Sequence, residues 1–218
     1  SYVMIRAICF DFDGTLAHFT GDFFDHMKES AHRLGIPEHL YDEFITTYLQ
    51  YDKSCSSFPE ACQKTFVSLR RKLPEDFESY CQETAKRYAS YIELLPGATE
   101  LLEYLLSKNI PLTLITNGTQ DIQRAAIQKA GLQHHFKTIL ISGELGIRKP
   151  DARIFQLACE RLDVLPEHCL MIGDNLSADI EGAKSIGMQT VWMSRGHVEN
   201  ARTFSTLSEV QGRLETQL

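Results

Sequence analysis

The sequence predicts an α/β protein, a parallel sheet with helices on both faces, interrupted by an all-helical insertion. Three observations carry this. A short apolar run from Ile5 to Phe10 ends abruptly in Asp11-Phe12-Asp13-Gly14-Thr15. Helical periodicity then replaces strand character from about residue 17 to residue 91. After Pro96-Gly97 helical stripes alternate with short apolar runs, the order expected of strands joined by helical crossovers.

The first run is short and β-branched enough for a buried strand, broken only by Arg6. The insertion reads as four helices, carrying Phe23, Met27 and Ala31, then Phe44, Ile45 and Tyr48, then Phe66 and Leu69, then Phe77, Tyr80 and Tyr88. Breaks fall near Gly35-Ile36-Pro37, Ser57-Phe58-Pro59 and Leu73-Pro74, where glycine and proline interrupt the pattern. Later strands are expected at Leu112 to Thr116, Thr138 to Ser142, Cys169 to Asp174 and Thr190 to Met193. Between them a helix carries Ile154, Leu157, Ala158 and Leu162, with Asp151 placed to cap it. With one strand before the helical block and the rest after it, the simplest organisation is a Rossmann-like core of residues 1–16 and 92–218. Residues 17–91 are a helical cap inserted after the first strand.

A formal charge of −7 opposes a nucleic-acid backbone, which is normally met by a broad basic surface. No apolar run reaches the roughly 18 residues of a membrane span, and no secretory signal is apparent, so a cytoplasmic protein is expected. The cysteines form no C-x-x-C pair and are read as reduced and structural. Met4 is read as the native start, with Ser1, Tyr2 and Val3 as added residues.

Ligands of open parallel sheets bind beyond the carboxyl ends of the strands, so polar residues that follow the apolar runs belong to one crevice. Four such places occur: Asp11 and Asp13; Thr116-Asn117-Gly118; Arg148-Lys149-Pro150; and Gly173-Asp174 with Asp179. Carboxylates, a lysine and a hydroxyl are the inventory for holding a phosphoryl group beside a hard cation. Magnesium takes an all-oxygen shell with several waters, so Asp11, Asp174 and one backbone carbonyl suffice. The cation and Lys149 also offset repulsion among the carboxylates. Taken singly, Asp13-Gly14 and Asn117-Gly118 are common turn dipeptides; four coincidences at four strand ends argue for a site.

These stretches, DFDGT at Asp11 to Thr15, ITNG at Ile115 to Gly118, RKP at Arg148 to Pro150 and GDNLSAD at Gly173 to Asp179, resemble the four ordered motifs of the haloacid dehalogenase-like hydrolase superfamily. The resemblance spans about two thirds of the chain, and the insertion matches the family's cap in position and kind. It implies a magnesium-dependent phosphatase in which Asp11 is nucleophile and metal ligand. Asp13 would be general acid and base and lend its backbone carbonyl to the metal. Thr116 and the Asn117 N–H would bind phosphate, Lys149 would neutralise charge, Asp174 would ligate magnesium, and Asp179 would support either metal or lysine.

The expected substrate is a small phosphorylated metabolite, handled by a monomer or homodimer. Asp13 argues against a haloacid dehalogenase, which needs no acid for an alkoxide. A phosphomutase is the alternative, and a noncatalytic binding protein would be expected to have lost a member of the set. The insertion holds 13 of the 20 Phe and Tyr residues. Most should pack between helices, with Phe19 or Phe58 as candidates to face the site.

Overall fold

The computed structural model describes residues 3–194 and 203–218; Ser1 and Tyr2 lie outside the described residues. Five strands build most of the sheet: β1 (Ala7–Phe10), β4 (Leu112–Thr116), β5 (Thr138–Ile141), β6 (Cys169–Gly173) and β7 (Gln189–Met193). A two-residue strand, β8 (Thr203–Phe204), completes the order β5-β4-β1-β6-β7-β8, and every pairing is parallel. Because β1 lies between β4 and β6, the chain leaves it in the middle of the sheet. A crevice therefore opens beyond its carboxyl end.

Side-chain alternation along the strands feeds two cores. Ile8 and Phe10 of β1 join Leu112, Leu114, Leu170 and Ile172 beneath α5 (Ala98–Ser107), α6 (Gln120–Ala130) and α10 (Leu207–Glu215). Ala7 and Cys9 point the other way, toward α8 (Ala152–Leu162) and the short α9 (Gly182–Lys184), where Phe155, Ala158 and Ala183 cover them. Asp151 caps α8, its carboxylate accepting from the Arg153 N–H at 2.9 Å. All six cysteines are buried and unbridged. Among the described residues no helix is long and apolar enough to cross a membrane.

The insertion forms four helices, α1 (Phe23–Arg33), α2 (Tyr41–Asp52), α3 (Phe58–Ser68) and α4 (Phe77–Ser90). They close around their own core of Met27, Ala31, Phe44, Ile45, Phe58 and Phe66. Each fully buried Phe there contributes about 1.5–3 kcal/mol through burial. One feature departs from the expected all-helical reading: the segment begins in a short strand, β2 (Ala17–Phe19), paired antiparallel as a two-stranded stem with β3 (Ile92–Leu94), which immediately follows the segment. Phe19, the last residue of β2, stacks on Tyr88 of α4 at 5.0 Å between ring centroids.

Three hydrogen bonds tie the helices to the sheet side. The Gln120 N–H donates to Ser56 O at 2.8 Å, the Phe58 N–H to Asp121 Oδ1 at 2.9 Å, and Arg148 to Lys53 O at 2.9 Å.

Candidate active site

Asp11 immediately follows β1, and its N–H donates to Ile172 O at 2.9 Å, extending the β1–β6 ladder by one bond. The chain then turns sharply. Gly14 has φ +83°, and a Cβ at this position would lie 2.2 Å from Asp174 Oδ2, so only glycine lets the loop approach β6 this closely. Gly173 serves the same purpose one strand over, where a Cβ would meet Asp179 Oδ2 at 2.3 Å.

Lys149 is the centre of the cluster. Only 2 % exposed, it donates from Nζ to Asp11 Oδ1, Asp179 Oδ1 and Ile115 O, each at 2.7 Å. Its three donors are thereby filled. Burial pulls its pKa down, but Asp11 and Asp179 outweigh that and hold it above the usual lysine range. Asn117 fixes the lysine's backbone from both sides: its Nδ2 donates to Lys149 O at 3.0 Å and its Oδ1 accepts from the Lys149 N–H at 2.9 Å.

The second oxygen of Asp179 accepts from the Asn175 N–H at 3.0 Å, so both its oxygens are bonded. Burial first, then the Asp11 charge, raises Asp179 to about 6 against the opposing pull of Lys149. Asp11 itself is pushed up to about 6, chiefly by burial, with Lys149 pulling downward and Asp174 pushing up.

Carboxylate oxygens of Asp11, Asp174 and Asp179 lie within 4.8 Å of one another. Asp174 is exposed where the other two are buried. Oxygen-only donors, a solvent-facing carboxylate and a loop held close by Gly14 fit a hard divalent cation, which keeps several waters. Thr15 is wholly buried, and its hydroxyl lies 3.3 Å from both Asp11 Oδ2 and Asp174 Oδ1.

Asp13 points away from this cluster. Its Oδ2 accepts from Gln123 Nε2 at 3.3 Å, and its pKa is raised to about 6 by burial and then by the Asp11 charge. Gln123, on the first turn of α6, also accepts from the Thr116 hydroxyl at 2.8 Å. Thr116, expected to present that hydroxyl to a ligand, directs it at Gln123 here. Nearby, Ser142 Oγ accepts from the Gly118 N–H at 2.9 Å, holding the loop after β4.

All seven residues singled out in the sequence thus gather at one sheet edge, six of them in two bonded groups: Lys149 with Asp11, Asn117 and Asp179, and Gln123 with Thr116 and Asp13. Asp174 stands against Asp11 and Thr15. Thr15 and Gln123 were not among the candidates. Thr15 is legible as a hydroxyl four residues after Asp11 inside DFDGT, whereas Gln123 is a helical amide with no motif around it.

Beyond Asp13 a cavity of about 210 Å³ reaches up to α1, α2 and α4. Phe23, Tyr48 and Tyr88 line it. Phe19 and Phe58 do not: Phe19 packs among His26, Tyr88 and Tyr91, and Phe58 is 1 % exposed against Tyr48.

Residues 5–187 match the model of the haloacid dehalogenase-like hydrolase family. A phosphoserine phosphatase of Thermus thermophilus is 43 % identical over 111 residues, 51 % of this chain, and the match spans less than half of that protein, 43 %. The human N-acylneuraminate-9-phosphatase is 30 % identical over 214 residues, covering 89 % of this chain and 84 % of the relative. Among solved structures, a HAD phosphatase of Thermococcus onnurineus superposes with a TM-score of 0.74 at 26 % identity, covering 96 % of this chain and 98 % of that one. With its sheet order, its strand-end carboxylates and a match across most of its length, the chain belongs to the haloacid dehalogenase-like hydrolase family.

Proposed function

We propose that this chain is a magnesium-dependent phosphohydrolase that cleaves a small phosphate monoester through an aspartyl-phosphate, the acyl phosphate of Asp11. The observation that carries this is the division of the carboxylates. Asp11 is held by Lys149 beside Asp174, while Asp13, two residues on, is turned out of that cluster toward the cavity under α1, α2 and α4.

Asp11 attacks phosphorus, forming the carboxyl–phosphate bond as the ester oxygen departs. Asp13 gives that oxygen a proton. A water then attacks the phosphorus, Asp13 takes back a proton, and inorganic phosphate leaves with the Asp11 carboxylate restored. A pKa of about 6 suits Asp13 to both directions of transfer near neutral pH. Lys149 offsets charge on Asp11 and on the transferring group, and Asp179, with both oxygens committed, positions that lysine.

Asn117 holds the lysine's backbone and offers its own N–H toward phosphate. Thr116 would present its hydroxyl to a phosphoryl oxygen once it leaves Gln123. Magnesium would be held by Asp11, Asp174 and the Asp13 carbonyl, and when bound it supplies charge neutralisation that lets a carboxylate approach an anionic ester. Residues 17–91 would act as a cap over a core of residues 1–16 and 92–218.

The test is hydrolysis of p-nitrophenyl phosphate by the purified chain. Turnover should need magnesium, stop in EDTA and be lost in Asp11→Asn. Full activity in EDTA would contradict the metal's role.

A further inference from the structure

The cavity beyond Asp13 has a chemical character that the phosphoryl chemistry does not use. If Asp13 protonates the departing oxygen, the alcohol half of the ester must lie on its far side, in this cavity. Its volume of about 210 Å³ is small beside the ~300–1,000 Å³ of pockets that take drug-sized ligands. Phe23, Met27 and Ile122 give it apolar walls.

Its polar lining is lopsided. Asp52, at the end of α2, is half-buried, and one of its oxygens accepts from the Tyr48 hydroxyl at 3.1 Å. No ion pair holds it among the described residues; burial raises its pKa, and the Tyr48 hydroxyl and the Arg148 charge, the latter from a separate cleft, oppose that. His26 is 6 % exposed, and its Nδ1 is buried without a hydrogen-bond partner. Thr119, 1 % exposed at the start of α6, has a buried hydroxyl in the same condition. Both residues line the cavity, and each keeps a buried polar atom without a hydrogen-bond partner behind its wall.

Burial, and then Arg87, lowers the pKa of His26 to about 4, so at neutral pH its ring carries no charge. Neither Lys nor Arg lines the cavity among the described residues, while two carboxyl groups, Asp13 and Asp52, do.

We infer that this cavity selects an ester whose alcohol is small, carries a hydrogen-bond donor for Asp52, and bears no second anionic group. The inference rests on the phosphohydrolase reading, because that reading places the alcohol beyond Asp13. A carboxylate or second phosphate on the alcohol would face Asp52 with no lysine or arginine among the described lining residues to meet it. Hydroxyl or ammonium groups would instead be received by Asp52.

The test compares kcat/KM of the full chain with magnesium on small esters that differ in charge. Glycerol 1-phosphate and phosphoethanolamine should exceed phosphoglycolate and 3-phosphoglycerate by at least about tenfold. Asp52→Asn should narrow that gap by raising kcat/KM on the anionic pair. Anionic esters cleaved as well as the others would overturn the inference, as would a gap unchanged in the variant.

Should Asp52→Asn fail to fold, inhibition of the wild-type chain decides: glycerol or ethanolamine should compete better than glycolate, and equal competition overturns the inference. Magnesium-dependent cleavage of p-nitrophenyl phosphate without any charge preference would leave the phosphohydrolase reading standing and sink this one. No cleavage of any ester would remove both.

Discussion

Lys149 spends its three N–H donors on Asp11, Asp179 and Ile115 O at 2.7 Å, whereas across the cavity His26 Nδ1 and Thr119 Oγ1 are buried with no partner. The strand-end cluster is a closed network, assembled from β1, β4, β6 and the loop before α8. The cavity wall is an open one, drawn largely from helices of the insertion. A closed network keeps reacting groups in place without a ligand, since a charge-assisted bond in a buried site holds its geometry. An open one pays a desolvation penalty until a ligand completes it. The contrast argues that reactivity is built in at the sheet edge and that selection is left to what fills the cavity.

The largest effect should come from the closed side. Asp11→Asn keeps the shape but removes the nucleophilic charge, and kcat/KM should fall by about 10⁴-fold or more. Steady-state kinetics check this, with a circular-dichroism melt to show that the fold persists. Lys149→Met leaves Asp11 and Asp179 as buried carboxylates without their cation. Breaking such a pairing costs about 3–5 kcal/mol, so a large drop in melting temperature should accompany the loss of activity. An unchanged melting temperature would show that the network is less closed than its geometry.

Gln123 bridges the two regions, accepting from Thr116 while donating to Asp13. Gln123→Leu should lower kcat by about a hundredfold, the lower end of what misplacing a proton donor costs. Its hydrogen bond holds the pKa of Asp13 down, so the Asp13 limb of the pH–rate profile should move to higher pH in the variant. A profile that stays in place would limit Gln123 to packing.

The smallest effect belongs to the open wall. His26 takes up its proton at about 4 when folded, against the ordinary 6.5. The unfolded chain is therefore protonated first as the solution is acidified. The stability associated with neutral His26 is complete above pH 6.5, declines as pH falls from 6.5 to 4, and changes no further below that. Discounted for solvent screening of the ring, the decline is on the order of 2 kcal/mol. Melting temperature against pH should show it in the wild-type chain and lose it in His26→Gln.

The sheet was legible because its strands are short apolar runs that end where polar residues begin, as at Phe10-Asp11 and Gly173-Asp174. Parallel pairing then brings those ends to one edge, which is why Asp11, Thr116, Lys149 and Asp174 converge from positions far apart in the chain. The stem of β2 and β3 escaped because three-residue strands carry no periodicity of their own and form only when the two ends of the insertion meet. Strand β8 has two residues and gives no pattern at all, while α10 buries Leu207, Val210 and Leu214 at a helical spacing.

Gln123 was hidden for a different reason. Its role depends on the first turn of α6 facing both Thr116 and Asp13, a relation across 110 residues. His26, Tyr48 and Asp52 depend likewise on how α1 and α2 settle over the sheet edge. Phe19 and Phe58 were the aromatic candidates for that wall, but their neighbours claim them, and Phe23, Tyr48 and Tyr88 stand there instead.

The central claim is that phosphate passes through Asp11. Rapid acid quench of the wild-type chain with a ³²P-labelled ester and magnesium should leave label on the peptide that contains Asp11. That label should chase into inorganic phosphate, be released by mild alkali, and be absent from Asp11→Asn. Turnover without labelled protein at any time, or label retained in Asp11→Asn, would contradict the account.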